Sequence, residues 1–376
     1  MRWPRRVLAV AAGALVLAGP ANAAPAPTPS ARAYILVEPA TGEVLAQRLP
    51  DQQLPMASTT KIMTALLTLE RLPPERLLTV PEAAVEVGGS TSQLVAGERL
   101  SVRHLLEGLL VPSGNDAAIT LAAAVSGTQP AFVALMNRRA GQLGLTNTHF
   151  ESPHGLDMPN HHASVRDLVR LAQAAMAHPL FRRIVAMRRA VIPGPFGRGE
   201  RELVNENLLL GIDRDADGVK TGHTTAAGYA LVAHATRPPL GVELYAAIIG
   251  EPSERRRATD AKRLLDWGFA QYARSTLLRA GQLLGRAPVL GRPGVWVTFR
   301  TARALVAPIR LGEPLTEQLA APTAVRAPIA AGQAVGSVAV RQGGTVLART
   351  PLVADRGVAG PGLLDRLRAA WDGLFP

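Results

Sequence analysis

The chain has 376 residues, a formal net charge of +12 and no cysteine, which excludes disulfides, thiol chemistry and cysteine-ligated metals. Its length allows at least one sizeable core and suggests two domains. No arginine-rich run is interleaved with aromatics, so the basic charge points away from nucleic acid and toward anionic phospholipid or an acidic wall polymer.

Residues 1–23 have a basic front (Arg2, Arg5, Arg6), an apolar run from Val7 to Ala18 and small residues at Ala21-Asn22-Ala23. This is the pattern of a secretory signal peptide, and the apolar run is too short to span a bilayer comfortably. The chain is therefore expected to be exported, with a net charge of +9 once those three arginines are removed. Residues 24–30 (APAPTPS) read as a Pro-rich linker.

Two strands, Tyr34–Val37 and Val44–Gln47, are expected around the turn PATGE, forming a hairpin. Next comes PMASTTKIMTALLTLER, with Ile62, Ala65, Leu66 and Leu69 at the spacing of one helical face and Pro73-Pro74 ending the run. Ser58 and Lys61 are three apart, so a helix opening near Ser58 sets a hydroxyl and an amine one turn from each other. Taken alone, the same pair fits a helix cap and a solvated lysine.

From Ser101 to about Arg139 the sequence is helical in pieces, broken at Pro112-Ser113-Gly114 and restarting at Asn115 and again near Pro130. Ser164-x-x-Asp167 resembles a capping box. After the loop PGPFGRG, GYALVAHA and VELYAAIIG read as adjacent strands of a covered sheet, followed by a charged helix from Ser253 to about Tyr272. The order hairpin, helices, strands, helix predicts an α/β domain over 31–274 whose sheet takes strands from both ends around a helical insertion. Beyond it, VWVTFR, ALVAPI and a hairpin around Gly343-Gly344 predict a small β-sandwich-like domain over 275–353. In the tail, 354–376, Pro361–Phe375 reads as an amphipathic helix with Trp371 and Phe375 on its apolar side, suited to lying on a membrane surface.

Three short motifs stand in order on a helix start, an inter-helix turn and a strand edge: Ser58-Thr59-Thr60-Lys61, Ser113-Gly114-Asn115 and Lys220-Thr221-Gly222-His223. Each alone reads as a cap or a turn. In combination they resemble the signature of the penicillin-recognising serine D,D-peptidases. PMASTTKIMTALL, VPSGNDAAITLA, HGLDMPNHHAS, GVKTGHTTAAGYALVA and RLLDWGF extend the resemblance to the low-molecular-mass D-alanyl-D-alanine carboxypeptidases, the class of penicillin-binding proteins 5 and 6. Nearly the whole exported chain is covered, including the β-rich second domain and the terminal helix.

The resemblance implies a β-lactamase/transpeptidase-like catalytic domain that removes the terminal D-alanine of peptidoglycan stem peptides without metal or cofactor. Ser58 would be the nucleophile, Lys61 its base and Ser113 a proton relay, while Asn115 would hold the substrate backbone. The N–H groups of Ser58 and His223 would form the oxyanion hole, and Lys220 and Thr221, with Gly222 beside them, would meet the terminal carboxylate. The family's helix-borne arginine falls at Arg255 when counted back from Trp267, with Arg257 the near alternative and Arg256 between them. Penicillins are expected to inhibit, and the enzyme is expected at the extracytoplasmic face of the membrane.

Other readings compete. Cleavage of existing cross-links uses the same chemistry. Class A β-lactamases carry a Glu-x-x-Leu-Asn, which Glu200-Arg201-Glu202-Leu203-Val204-Asn205 misses by one residue. His154, Asp157, His161 and His162 are candidate ligands of a metallopeptidase, although no helical His-x-x-x-His face is present. A non-catalytic wall-binding protein would not need Ser58, Lys61 and Ser113 intact.

Overall fold

The computed structural model describes residues 14–15, 24–360 and 362. The expected terminal helix and most of the expected signal peptide lie outside them. The chain divides into two compact units, residues 24–238 with 242–270, and residues 239–241 with the described residues from 271 onward.

The first unit is built on a five-stranded antiparallel sheet. Its strands are β1 (Ala33–Glu38), β2 (Glu43–Arg48), β3 (Ala216–Thr224), β4 (Gly228–Arg237) and β5 (Val242–Glu251), in the order β2-β1-β5-β4-β3. Strands from both ends of the unit thus meet at the β1–β5 pairing, Tyr245 opposite Val37 and Ile249 opposite Ala33. The apolar runs of β1, β4 and β5 are explained by cover on both faces. Ile35 and Ala247 turn toward the helical insertion, whereas Leu36 and Leu244 turn toward α7.

The insertion comprises α1 (Lys61–Arg71), α2 (Val102–Leu110), α3 (Asn115–Ser126), α4 (Gln129–Gln142), α5 (Val165–Met176) and α6 (Pro179–Val185). Ser101, Thr128 and Ser164 cap α2, α4 and α5 through their side chains, and each satisfies a backbone N–H that the helix cannot. α1 is buried around its first two turns, so Thr64 and Thr68 turn their hydroxyls to the carbonyls of Pro153 and Thr64. No single helix among the described residues is long and apolar enough to cross a membrane; α3 and α4 reach that length together only across an 84° bend.

α7 (Glu254–Ala270) covers the other face with Leu264, Leu265 and Phe269. Gly268 lets it lie flush, since a Cβ there would meet Leu36 and Leu244 side chains at 2.7 and 2.8 Å. α7 stops at Ala270, short of the expected Tyr272, because Gln271 and Tyr272 already pair with Leu311 and Arg310.

The second unit is all β, with β6 (Tyr272–Leu278), β7 (Leu283–Pro288), β8 (Trp296–Thr301), β9 (Leu305–Arg310), β10 (Leu315–Ala320), β11 (Ala334–Gln342) and β12 (Thr345–Ala354). One sheet runs β10-β11-β12-β8-β7, with Ala14–Leu15 pairing on its β10 edge, and β6 pairs with β9. Leu278, Val297, Phe299, Leu305, Val338, Val340 and Leu352 form its own core.

Candidate active site

The chain enters α1 through a single 3-10 turn, Ala57–Thr60, with Ala57 held at a φ of 49°. Such a conformation costs a non-glycine residue on the order of 1 kcal/mol or more and persists only where the surroundings impose it. Here they do. The Thr59 and Thr60 hydroxyls donate to the Met56 and Ala57 carbonyls at 2.6 and 2.8 Å. Behind Thr60 stands His161, whose Nδ1 accepts from Glu151 N at 2.9 Å. Its Nε2 must then carry the hydrogen and donate to the Thr60 hydroxyl, 2.8 Å away. Burial pushes the His161 pKa down to about 4, so the ring is neutral near pH 7.

Ser58 is partly exposed, and the turn makes no side-chain cap hydrogen bond. Its hydroxyl instead accepts from Lys61 Nζ at 2.7 Å, and the amine also donates to the His154 carbonyl at 2.9 Å. Lys61 is completely buried. Burial first, and the charge of Lys220 second, hold its pKa well below the usual lysine range. The surface-cap reading of Ser-x-x-Lys therefore does not describe this pair, since the hydroxyl faces the amine and the amine is not solvated.

β3 forms the opposite wall. Lys220 and Thr221 are buried, and Lys220 Nζ donates to the Thr221 carbonyl at 3.1 Å. Burial brings Lys220 down to about 8, with Glu206 opposing the shift and Arg257 adding to it. β3 lies so close to the Ser58 turn that a Cβ on Gly222 would stand 3.0 Å from Ser58 N and 3.1 Å from Met56 O. His223 is exposed and stacks on Tyr229, with ring centroids 4.0 Å apart.

The third wall is the break between α2 and α3. Ser113 sits at a φ of 68° with its hydroxyl buried and unpartnered among the described residues, and Asn115 donates its amide to the Gly88 carbonyl at 2.6 Å. The three sequence motifs therefore arrive from a helix start, an inter-helix turn and an edge strand.

Arg255 does not join them. It is exposed on the outer side of α7, facing a groove it shares with Arg188 and Leu208. Arg257, two residues on, is buried and donates to the carbonyls of Gly222 at 3.4 Å and Glu206 at 3.1 Å. Two positions are 200° apart on a helix, so counting from Trp267 could not separate the neighbours, and only the inward one reaches β3.

The competing glutamate pattern also disperses. Glu200 and Glu202 are exposed on a short strand paired with Arg189–Pro193, and Asn205 donates to the Met187 carbonyl. His154, Asp157, His161 and His162 do not assemble a metal site: no group of three or more potential ligands occurs among the described residues. Asp157 instead accepts from the Thr224 hydroxyl at 2.7 Å, tying the 152–157 loop to the end of β3.

Two acidic residues of the site carry no sequence motif of their own. Asp116 is buried at the start of α3 and accepts from the Thr91 hydroxyl and the N–H groups of Ser92, Leu94 and Ala117, which fixes the loop beside Asn115. Its one signal was its place in the first turn of a helix, where a carboxylate is favoured. Glu206 is exposed, 3.5 Å from the Thr221 hydroxyl.

With this geometry in view, the profile of the family described as D-alanyl-D-alanine carboxypeptidase matches residues 20–253, and that of the penicillin-binding protein 5 C-terminal domain matches 274–359. The chain belongs to the D-alanyl-D-alanine carboxypeptidase family. It is accordingly a serine-peptidase hydrolase with a penicillin-binding, transpeptidase-like α/β domain and a β-rich C-terminal domain. D-alanyl-D-alanine carboxypeptidase DacD of Salmonella typhimurium is 33% identical, over 91% of this chain and 90% of its own. DacC of Escherichia coli is 31% identical, over 92% of this chain and 88% of its own. The crystal structure of penicillin binding protein 5 from Haemophilus influenzae superposes with a TM-score of 0.63 at 31% identity, covering 89% of this chain and 98% of that one. The Streptomyces K15 DD-transpeptidase, at 32% identity and a TM-score of 0.62, covers 65% of this chain and 99% of its own.

Proposed function

We propose that this chain removes the terminal D-alanine from peptidoglycan stem peptides through an acyl-enzyme on Ser58. The observation that carries the reading is the 2.7 Å contact between Ser58 Oγ and the fully buried Lys61 amine. A neutral Lys61 takes the hydroxyl proton as Ser58 Oγ attacks the carbonyl between the two D-alanines. The Ser58 and His223 N–H groups receive the developing oxyanion, and the first of them lies at a helix start. The C–N bond then breaks, and the leaving amine takes a proton through the Ser113 hydroxyl. Water next adds to the ester, gives its proton back through Lys61 and frees Ser58.

Asn115 aligns the substrate backbone, while Lys220 and Thr221 receive the terminal carboxylate. Arg257, not Arg255, adds charge there by bracing β3 at Gly222. Glu200 and Glu202, the glutamates of the β-lactamase-like pattern, are exposed on a strand paired with Arg189–Pro193, and neither is assigned a role in activating a deacylating water. A penicilloyl group, whose carbonyl mimics the scissile bond, is therefore released slowly.

The experiment is intact-mass measurement after incubation with benzylpenicillin, beside D-alanine release from a D-Ala-D-Ala peptide. Wild type should gain one penicilloyl group and release D-alanine, and Ser58→Ala should do neither. D-alanine release surviving in Ser58→Ala would sink the mechanism. The same assay with a glycine acceptor measures how far hydrolysis prevails over the amine transfer that the name of the Streptomyces enzyme implies.

We place the enzyme outside the cytoplasmic membrane, on the strength of the signal-like residues 1–23. The same reading gives the anchoring to residues 361–375, whose sequence pattern is that of an amphipathic helix with Trp371 and Phe375 among its apolar residues. Membrane partition of a chain ending at Val358 tests the anchor; undiminished sedimentation with membranes would refute it.

A further inference from the structure

Glu206 brings a carboxylate to the hydroxyl that the substrate's own carboxylate would use. Its Oε2 lies 3.5 Å from Thr221 Oγ1, and its Oε1 lies 3.4 Å from Ser90 Oγ on the facing loop. The side chain thus reaches both walls of the cleft. Its backbone is pinned: the Glu206 carbonyl accepts from Arg257, while the flanking Asn205 and Asn207 donate to the carbonyls of Met187 and Gly218. The side chain itself is exposed and makes contacts at the long limit of hydrogen bonding, so little holds it in place. Lys220, Arg257 and Lys61 all feel its charge.

A substrate carboxylate approaching Thr221 meets this arrangement in one of two ways. It displaces the Glu206 side chain, losing part of its binding energy, or it binds beside a like charge. Either weakens ligands with an anionic end and spares ligands with a neutral one.

We propose that Glu206 is a built-in competitor for the substrate's terminal carboxylate, occupying the Thr221 hydroxyl and setting how strongly the site selects a free C-terminus. The inference rests on the carboxypeptidase reading above and deepens it.

The test compares Glu206→Gln and Glu206→Ala with wild type on an acyl-D-Ala-D-Ala peptide and on its C-terminal methyl ester, in which the same amide is cleaved but the end is neutral. Both variants should raise kcat/KM for the acid by about 3- to 10-fold and change the ester by less than about 2-fold, and the gain should shrink in 0.5 M salt, as an exposed charge effect must. Acid and ester falling together would overturn the proposal, because Glu206 would then be positioning the catalytic groups. Unchanged kinetics in both variants would overturn it too, while wild type still hydrolyses the acid and takes up benzylpenicillin. Wild type that does neither would overturn the carboxypeptidase reading itself, and this proposal with it.

Discussion

Lys61 must lose its proton before Ser58 can lose one, and Lys220 must keep its own if it is to hold an anion. Both are buried lysines, and burial lowers both. Burial lowers Lys61 first and the charge of Lys220 lowers it again, which favours the state in which the first is neutral and the second charged. The acylation rate should therefore climb as pH rises through the depressed Lys61 value and fall again above about 8, where Lys220 discharges. Stopped-flow acylation by benzylpenicillin across pH 5 to 10 reads this directly, and a rate still rising at pH 10 would contradict it. Lys61→Arg, which cannot deprotonate, should lower the rate about 100- to 10,000-fold. The two arginines of α7 separate at the same scale. Arg257→Ala, which removes a buried guanidinium bonded to the Gly222 and Glu206 carbonyls, should cost about 1–3 kcal/mol of stability through the carbonyls left unpaired. Arg255→Ala should stay within about 0.5 kcal/mol of wild type in urea melts.

At the scale of elements, the catalytic groups are precise because loops are tied to them from behind. Asp116 gathers Thr91, Ser92 and Leu94, and the same loop returns a carbonyl from Ser90 to Asn115 N at 2.8 Å and one from Gly88 to its side chain. Asp116→Ala leaves those buried N–H groups unpaired and should cost about 3 kcal/mol in chemical unfolding. It should also lower the acylation rate, since Asn115 loses its support. Asp116→Asn, which keeps an acceptor, should recover part of both; equal damage from the two variants would show that the charge, not the acceptor, matters. Such ties explain what the sequence could and could not reveal. The hairpin, α1, the capped helices and the strand pair after Gly228 were legible because apolar spacing and turn residues are local signals. The motif residues were legible because hydroxyl, amine and amide recur in a set order. Glu206 and the His161–Thr60 contact were not, since each joins segments far apart in the chain and neither residue type announces a partner. Arg257 was lost to its neighbour by a one-sided count along a helix whose inward face depends on where β3 lies.

For the whole molecule, pH also acts on stability through groups remote from catalysis. Glu251, at the end of β5, is almost fully buried and faces Asp260 of α7, which also holds the backbone of Ser30 where the chain enters the domain. Burial first, and the Asp260 charge second, push the Glu251 pKa up to about 7. Because that folded value lies above the ordinary glutamate value of 4.5, the carboxyl's contribution is fully present below pH 4.5. It is lost as pH rises through about 7, where the buried group must ionise. His234 works in the same direction. Its ring lies between Asp217 and Glu243, whose carboxylates raise its pKa despite burial, so its contribution is present below the ordinary histidine value and lost as pH climbs through the raised one. The part of the stability owed to these two groups should therefore decline from about pH 5 to pH 8, with Glu251 accounting for on the order of 2–3 kcal/mol. His161 and Lys61 set an opposite trend, since their lowered values favour the folded state as pH rises. Glu251→Gln, which cannot ionise, should match wild type near pH 5 and exceed it by that margin at pH 8 in urea unfolding, the difference between the two proteins isolating Glu251 from every other titrating group. A Gln variant with the full wild-type slope would show that the Glu251 carboxyl does not change its ionisation between pH 5 and pH 8, and would overturn this assignment.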